Sequence, residues 1–201
     1  MSKQVYISAD YSEDDGDREV VDELNRWGSN DFHKVDFIDM SKVASGSVSR
    51  DADCRICDLK AEFNRQINAS SAVIIVVGNK TKDRTAGKSC RRAGNPQMNC
   101  DCTPYKQNTN GTKPCRIVVT TPAGNDNVGN INSYSYLQHE FEQAKKKGKK
   151  IIVVYNSTRC ETSWLPWYMS EYEKVAHPFW TINYYGRKVG DYSYIKEALG
   201  F

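Results

Sequence analysis

The chain lacks any long apolar run. Its longest, Ala72–Val77, is six residues, far short of the roughly 20 that span a bilayer as a helix, so no membrane partner is expected. The opening stretch, MSKQVYISADYS, has neither an apolar h-region nor a small-residue cleavage site, and the expected location is the cytoplasm. Histidine is scarce: the three residues lie at 33, 139 and 177, with no H-E-x-x-H among them, so that metallohydrolase pattern is excluded. The glycines never fall into G-x-G-x-x-G, G-x-x-x-x-G-K-[ST] or G-x-S-x-G. The classical dinucleotide fingerprint, the P-loop and the nucleophile elbow are therefore absent. What is present is 201 residues, 39% hydrophobic and 11% aromatic. That is one domain with a full hydrophobic core, and not a disordered chain.

The net charge is only +3, but it is unevenly spread. Residues 10–24 carry eight acids and one arginine, whereas residues 80–116 carry nine Lys/Arg and two Asp. An acidic front helix and a basic middle segment follow. Such a basic segment either binds nucleic acid or phosphate or is a solvated surface loop.

Seven cysteines stand at 54, 57, 90, 100, 102, 115 and 160. An odd number without a secretion signal argues against a secreted disulfide framework. Cys90, Cys100, Cys102 and Cys115 lie in a Gly/Asn/Pro-rich stretch with too few apolar residues for a core of its own. Four thiolates around a structural zinc would tie it down; disulfides and free thiols are the alternatives, because the spacing is not that of a standard finger. Cys54 and Cys57 form a C-x-x-C inside an expected helix, without the strand-to-helix-start context that activates a redox pair. They read as partly buried small residues or as further partners for the other cysteines.

The hydrophobic periodicity alternates strand and helix. Strands are expected at 4–8 (QVYIS), 34–38 (KVDFI), 72–77 (AVIIVV), 150–155 (KIIVVY) and 178–182 (PFWTI), with helices at 17–27, 53–68, 135–147 and 192–199. The run at 72–77 is continuously β-branched, as in a strand buried on both faces. Residues 41–52 read as a loop, and 161–176, rich in Trp and Tyr, as a short helix and loop. Residues 80–131 break the pattern. A structureless loop of that length does not fit a compact domain, so the segment reads as an insertion, with one short strand at 116–120.

This order implies an α/β fold with a mostly parallel five-stranded sheet covered on both faces. Ligands of such sheets bind outside the carboxyl ends of the strands. The candidate site residues are therefore Ser8, Asp10 and Tyr11, Asp39, Gly78 and Asn79, and the start of the helix at 135–147. On that helix Leu137, Phe141 and Ala144 form the apolar stripe. Glu140 lies about 60° from Leu137, at the stripe's edge, with Tyr136 one turn before it. A carboxylate there either enters a cleft or is an ordinary boundary residue paired with an arginine.

Three strings together resemble a known family. VYISADYSEDDGDREVVDEL, SSAVIIVVGNKT and SYLQHEFEQAKKKGKKIIVVYN are similar, in this order, to the first strand and loop, the central strand, and the glutamate helix with its following strand in TIR-like domains. They resemble most the stand-alone bacterial TIR-like proteins of Thoeris antiphage defence. Two departures stand out: Tyr136 takes the place of a tryptophan, and the Cys-rich segment at about 80–131 precedes the key helix.

The resemblance implies a single flavodoxin-like, three-layer TIR domain over 1–201. It places Glu140 on the family's catalytic glutamate, with NAD as substrate and no organic cofactor. It also implies cleavage of the nicotinamide N-glycosidic bond, a cyclic ADP-ribose-type signal read by a separate effector, homo-oligomers, and a phage-derived trigger. Ser8 and Asp10 are then placed to bond the sugar, and Tyr11 and Tyr136 to stack on a ring or cover the ribose. Arg18 either pairs with the pyrophosphate or braces the acidic loop; Trp164 and Trp167 are core, interface or stacking residues. Two other functions fit the same sequence: a non-catalytic TIR interaction module, and a sensor that binds nucleic acid through the basic insertion.

Overall fold

Alternation along β-branched runs, and a 3.6-residue period between them, build this molecule. The computed structural model describes residues 3–11, 16–29, 35–40, 52–84, 105–108, 111–114 and 135–200, with backbone alone at 52–58, 60–61, 105–108 and 111–114. The elements are β1 (Lys3–Ser8), α1 (Arg18–Gly28), β2 (Val35–Ile38), α2 (Ala52–Ala69), β3 (Ala72–Val77), β4 (Tyr105–Asn108), β5 (Gly111–Pro114), α3 (Tyr136–Lys146), β6 (Lys150–Tyr155), β7 (His177–Pro178), β8 (Trp180–Ile182), β9 (Lys188–Gly190) and α4 (Tyr192–Leu199). Short 3-10 turns occupy Thr81–Asp83, Thr162–Trp164 and Trp167–Tyr172.

Five strands form one sheet in the order β2-β1-β3-β6-β7, every neighbouring pair parallel. This is the doubly wound, flavodoxin-like order, whose switch point lies between β1 and β3. Side chains alternate across the sheet. Val5, Ile7, Ile74, Val76, Ile152 and Val154 pack with Val20, Val21, Leu24 and Trp27 of α1 and Ile195 and Leu199 of α4. Tyr6, Val73, Ile75, Val77, Val153 and Tyr155 pack on the other face with Phe63 and Ile67 of α2 and Phe141 and Ala144 of α3. The result is three layers, as expected. Among the described residues no helix is long and apolar enough to cross a membrane.

The helix ends follow local chemistry. Ser135 caps α3 by accepting a hydrogen bond from the Gln138 amide at 3.0 Å, which satisfies one of the helix's free amides. Lys145 and Lys146 lie in its last turn, where cations suit the dipole. The chain then leaves through Gly148 at φ 60, a left-handed conformation that glycine adopts without a Cβ penalty.

Two expectations need correction. The fifth strand is not a single run over 178–182. Only His177–Pro178 joins the main sheet, beside Val154 and Tyr155, and Trp180–Ile182 turns away to pair antiparallel with Lys188–Gly190. Trp180 is buried but Ile182, two residues on and on the same strand face, is exposed, so the run does not keep one apolar face against the core along its length. The turn of this β8–β9 hairpin is tied by Asn183, whose Oδ1 accepts from the amides of Tyr185 (3.0 Å) and Arg187 (2.9 Å), an Asx-type device. Within 80–131, no hydrophobic alternation announces the β4–β5 hairpin, a two-stranded sheet of its own. The strand expected at 116–120 lies outside the described residues.

Candidate functional site

Tyr6 and Ser8 are two residues apart on β1 and so share one face of the sheet. That face looks at α3. There Glu140 lies between them: Tyr6 donates its hydroxyl to Oε1 at 2.9 Å, and Ser8 donates Oγ to Oε2. One long and one short side chain from a single strand thus hold both oxygens of one carboxyl. Ser8 is the last residue of β1, so the group sits at the strands' carboxyl edge beside the switch point.

Glu140 is 3% exposed. Burial disfavours the charged form and raises its carboxyl from 4.5 to about 8, against the opposing hydrogen bonds from Ser8 and Tyr6. Near pH 7 the group is therefore mostly a neutral acid, and it ionises at slightly alkaline pH or when a cation is placed beside it.

The helical stripe is wider than its periodicity suggests. Leu137, Phe141 and Ala144 are buried as expected, but so are Gln138, His139, Glu140 and Gln143. Helix α3 packs on the sheet and alongside α2. His139 Nε2 meets Asn64 Oδ1 at 2.9 Å, and Gln143 donates Nε2 to Asn68 Oδ1 at 2.9 Å. Glu140 is thus well inside the protein and not at the rim of a stripe, whereas Glu142 is exposed.

The remaining predicted residues gather along the same edge. Tyr11 donates its hydroxyl to the Ile7 carbonyl at 3.3 Å. Its phenol is pushed well above 10 by burial and then by the charges of Asp39 and Glu140, while Arg18 opposes the shift; these side chains share one electrostatic neighbourhood. Asp39 is buried after β2 and accepts from Asn25 Nδ2 of α1 at 3.0 Å. Asp10 is paired with Arg84. Gly78 ends β3 with its amide on Thr81 Oγ1 at 2.7 Å, and Asn79 beside it is exposed. The Tyr136 ring packs edge-on against Phe63, centroids 5.6 Å apart, toward α2. Trp164 packs on the second core, whereas Trp167 is exposed.

Four participants escaped the sequence reading: Tyr6, Arg84, and the pair Asp17 and Asn156. Asp17 occupies the N-cap position of α1, yet its side chain caps nothing. It turns instead to accept Asn156 Nδ2 at 3.0 Å, and Asn156 Oδ1 accepts Trp180 Nε1 at 2.7 Å. Burial raises Asp17 from 3.8 to about 7. Alternation along QVYIS put Tyr6 on the Ser8 face; that was the one signal available for it.

Cys90, Cys100, Cys102 and Cys115 lie outside the described residues, as do the side chains of Cys54 and Cys57. Among the described residues no group of three or more His, Cys, Asp and Glu side chains is arranged to hold a metal ion.

Residues 6–88 match the family model of Thoeris protein ThsB, TIR-like domain. No curated protein and no solved structure matches the chain. The matched stretch holds Tyr6, Ser8, Asp10, Asp17, Asp39, Gly78 and Arg84, and Glu140 meets it from α3. Over residues 6–88, with the rest of the sheet and the helix of Glu140 beyond the match, the chain is similar to the TIR-like domain of Thoeris protein ThsB.

Proposed function

We propose that the protein consumes NAD. In this reading it breaks the bond between nicotinamide and ribose, with Glu140 as the catalytic carboxylate, and forms a cyclic ADP-ribose-type signal that a separate effector reads. The observation that carries the reading is a buried carboxyl held by Tyr6 and Ser8 at the carboxyl edge of a doubly wound sheet, in a chain with a Thoeris TIR-like match.

The chemistry suits a single carboxylate. The nicotinamide of NAD is a cationic leaving group. It departs neutral with the electron pair of the C–N bond, so no general acid is needed, and positive charge passes to the ribose carbon and ring oxygen. A fixed anion nearby stabilises that charge, as carboxylates do in glycosidases. Water then attacks to give ADP-ribose and a proton, or a nitrogen of the adenine attacks to close a ring. The proton on Glu140 matters. The resting carboxyl is neutral, and the approaching pyridinium cation favours its ionised form, so the anion appears when substrate arrives. Homo-oligomers and a phage-derived trigger belong to the same reading.

A pH prediction follows. Only ionised Glu140 can stabilise the cation, and the free protein holds the carboxyl at about 8. Nicotinamide release measured as kcat/KM rises with pH, about tenfold per unit below 8, and levels above it. The kcat profile bends at lower pH, because bound substrate has already drawn the proton off. Identical bends in the two profiles would contradict this account.

One observation favours a second reading, a non-catalytic interaction module: both Glu140 oxygens are already occupied by the protein's own hydroxyls. Incubation of the purified protein with NAD, alone and with lysate of infected cells, separates the two. The enzymatic reading expects free nicotinamide; the interaction module expects NAD intact in both.

For the cysteine segment we propose a structural zinc on Cys90, Cys100, Cys102 and Cys115. Metal analysis of purified protein is expected to find one zinc per chain, lost when any two of the four are replaced by serine. Protein purified without metal and still fully stable would remove zinc from consideration.

A further inference from the structure

Tyr6 lies in the middle of β1, and β1 lies inside the sheet, with Ile38 of β2 beside Tyr6 on one edge and Val73 of β3 on the other. Its side chain is fully buried and belongs to the core that holds Ile38, Phe63, Ile67 and Val73. A strand paired on both edges does not shift alone, and a close-packed ring keeps its rotamer. Phenylalanine would serve that packing as well. The hydroxyl is an added polar atom in apolar surroundings, which is costly without a partner. Its partner is Glu140 Oε1 at 2.9 Å, while Ser8 takes the other oxygen. Among the described residues these two hydroxyls are the hydrogen-bond partners of the carboxyl, and no cation pairs with it.

We infer that Tyr6 is a positioning residue for Glu140: its hydroxyl, fixed by the sheet, aims one carboxylate oxygen and supplies the donor with which the buried group ionises. The inference rests on the reading of Glu140 as the centre of glycosidic cleavage, and Tyr6 acts on substrate only through that group. The neutral carboxyl carries a hydrogen on one oxygen, and the hydroxyl facing that oxygen accepts from it. The anion is bare on both oxygens and takes a donor on each. Loss of the Tyr6 donor therefore costs the anion more than the acid, because hydrogen bonds to charged groups are the stronger ones. The balance agrees: burial raises the Glu140 carboxyl to about 8, and the bonds from Ser8 and Tyr6 keep it from rising further. Burial also holds the Tyr6 phenol well above 10, so it keeps its proton throughout that range. The Glu140 charge reaches Tyr11, after β1, and Tyr168, in the 3-10 turn at Trp167–Tyr172; burial holds the first well above 10 and pushes the second up to about 12. The Asp39 charge, from the end of β2, is felt at Tyr11. From α2 the Glu62 charge is felt at Tyr6, and Glu62 accepts from Arg65 and Gln66. On α3 itself His139 meets Asn64, and the exposed Glu142 accepts from Gln138.

Carbon-13 NMR of the full-length protein with labelled glutamate side chains tests this without reference to activity, the Glu140 signal being the one that Glu140→Gln removes. The wild-type carboxyl is expected to titrate near 8. Tyr6→Phe is expected to move that inflection up by about one to two pH units, the worth of a hydrogen bond to a charged group. Replacing Tyr6 with 3-fluorotyrosine, a more acidic phenol and a stronger donor, is expected to move it down. The fluorinated protein also keeps the test open if the phenylalanine variant fails to fold, which circular dichroism reports. An inflection equal in wild type and folded Tyr6→Phe overturns the inference. A parallel NAD assay separates this from the enzymatic reading. There Tyr6→Phe lowers kcat/KM about ten- to hundredfold at pH 7, by the same shift, and the gap narrows as the pH rises to 9.5. A loss equal at every pH means a merely structural role and also overturns it. A moved inflection while the wild type leaves NAD intact keeps the Tyr6–Glu140 coupling and removes the cleavage. NAD turnover with an unmoved inflection does the reverse.

Discussion

Glu140→Gln abolishes nicotinamide release, lowering it by at least about 10³-fold, in a protein that stays folded. Removing a preorganised charge from a developing cation costs on the order of 4 kcal/mol of transition-state stabilisation. The amide is nearly isosteric: its oxygen still accepts from Tyr6, and its nitrogen faces Ser8. The fold has no reason to object, because the resting carboxyl is already neutral near pH 7. Stability gives an independent check, with the opposite sign. The folded carboxyl titrates at about 8 against an ordinary 4.5. Its contribution to stability is complete below about 4.5 and is lost as pH rises toward 8. The Gln variant escapes that loss. It should melt with the wild type at pH 5 and above it at pH 9, a difference of a few kcal/mol at most. Nicotinamide chromatography and melting curves at the two pH values measure both effects. Wild-type turnover in the Gln variant would end the catalytic assignment, whatever its melting temperature.

Gly78→Ala destabilises the protein by about 2–4 kcal/mol, the range of overpacking with disturbance of a buried hydrogen bond. For a chain of this size that lowers the melting temperature by roughly 5–15 °C. The reason is a close approach and not backbone freedom. A Cβ at Gly78 would stand 2.2 Å from Asp17 Oδ1, the oxygen that accepts from Asn156 at 3.0 Å. Asp17 cannot simply swing aside, because it is buried and its amide is tied to the Asp10 carbonyl. The argument predicts a coupling: Asp17→Gly in the same chain restores most of the lost stability, since it removes the colliding carboxylate and the helix forfeits no side-chain cap. Denaturant titration of the two single variants and the double variant gives the interaction directly. Additive losses would show that the collision is not the cause.

The sheet was readable in advance because its strands advertise themselves. AVIIVV is rich in β-branched residues and buried throughout, and KIIVVY is buried over its last four residues, a composition typical of strands covered on both faces. Helix α1 was equally plain: Val20, Val21, Leu24 and Trp27 keep helical spacing and are the residues that pack on the sheet. The fifth strand was less legible. PFWTI has strand composition throughout, but composition does not say where a chain stops pairing with one sheet and begins a hairpin with itself.

The site divides in the same way. Ser8, Asp10, Asp39, Gly78 and Glu140 were placed at the carboxyl edge by chain order alone, since a parallel sheet brings all its strand ends to one side. Their partners were another matter. Tyr6 and Glu140 are 134 residues apart, and Asp10 and Arg84 are 74. Nothing local marks Tyr6 as other than a core tyrosine or Asp17 as other than a helix cap. A hydrogen bond depends on a few tenths of an ångström and on which neighbours exclude water, and both arise only when α3 is packed on the sheet alongside α2.

The amino-acid order by itself determined which segments become strands and helices, that the strands run parallel, and hence which residues lie at their carboxyl ends. These follow from short-range periodicity and from the steric rules of crossover connections. Tertiary packing alone decided that Glu140 is enclosed by two hydroxyls and resists ionisation, that Arg84 joins Asp10, and that Asp17 leaves its helix for Asn156. Each of those depends on desolvation and on contacts between distant parts of the chain, which exist only once the layers have closed.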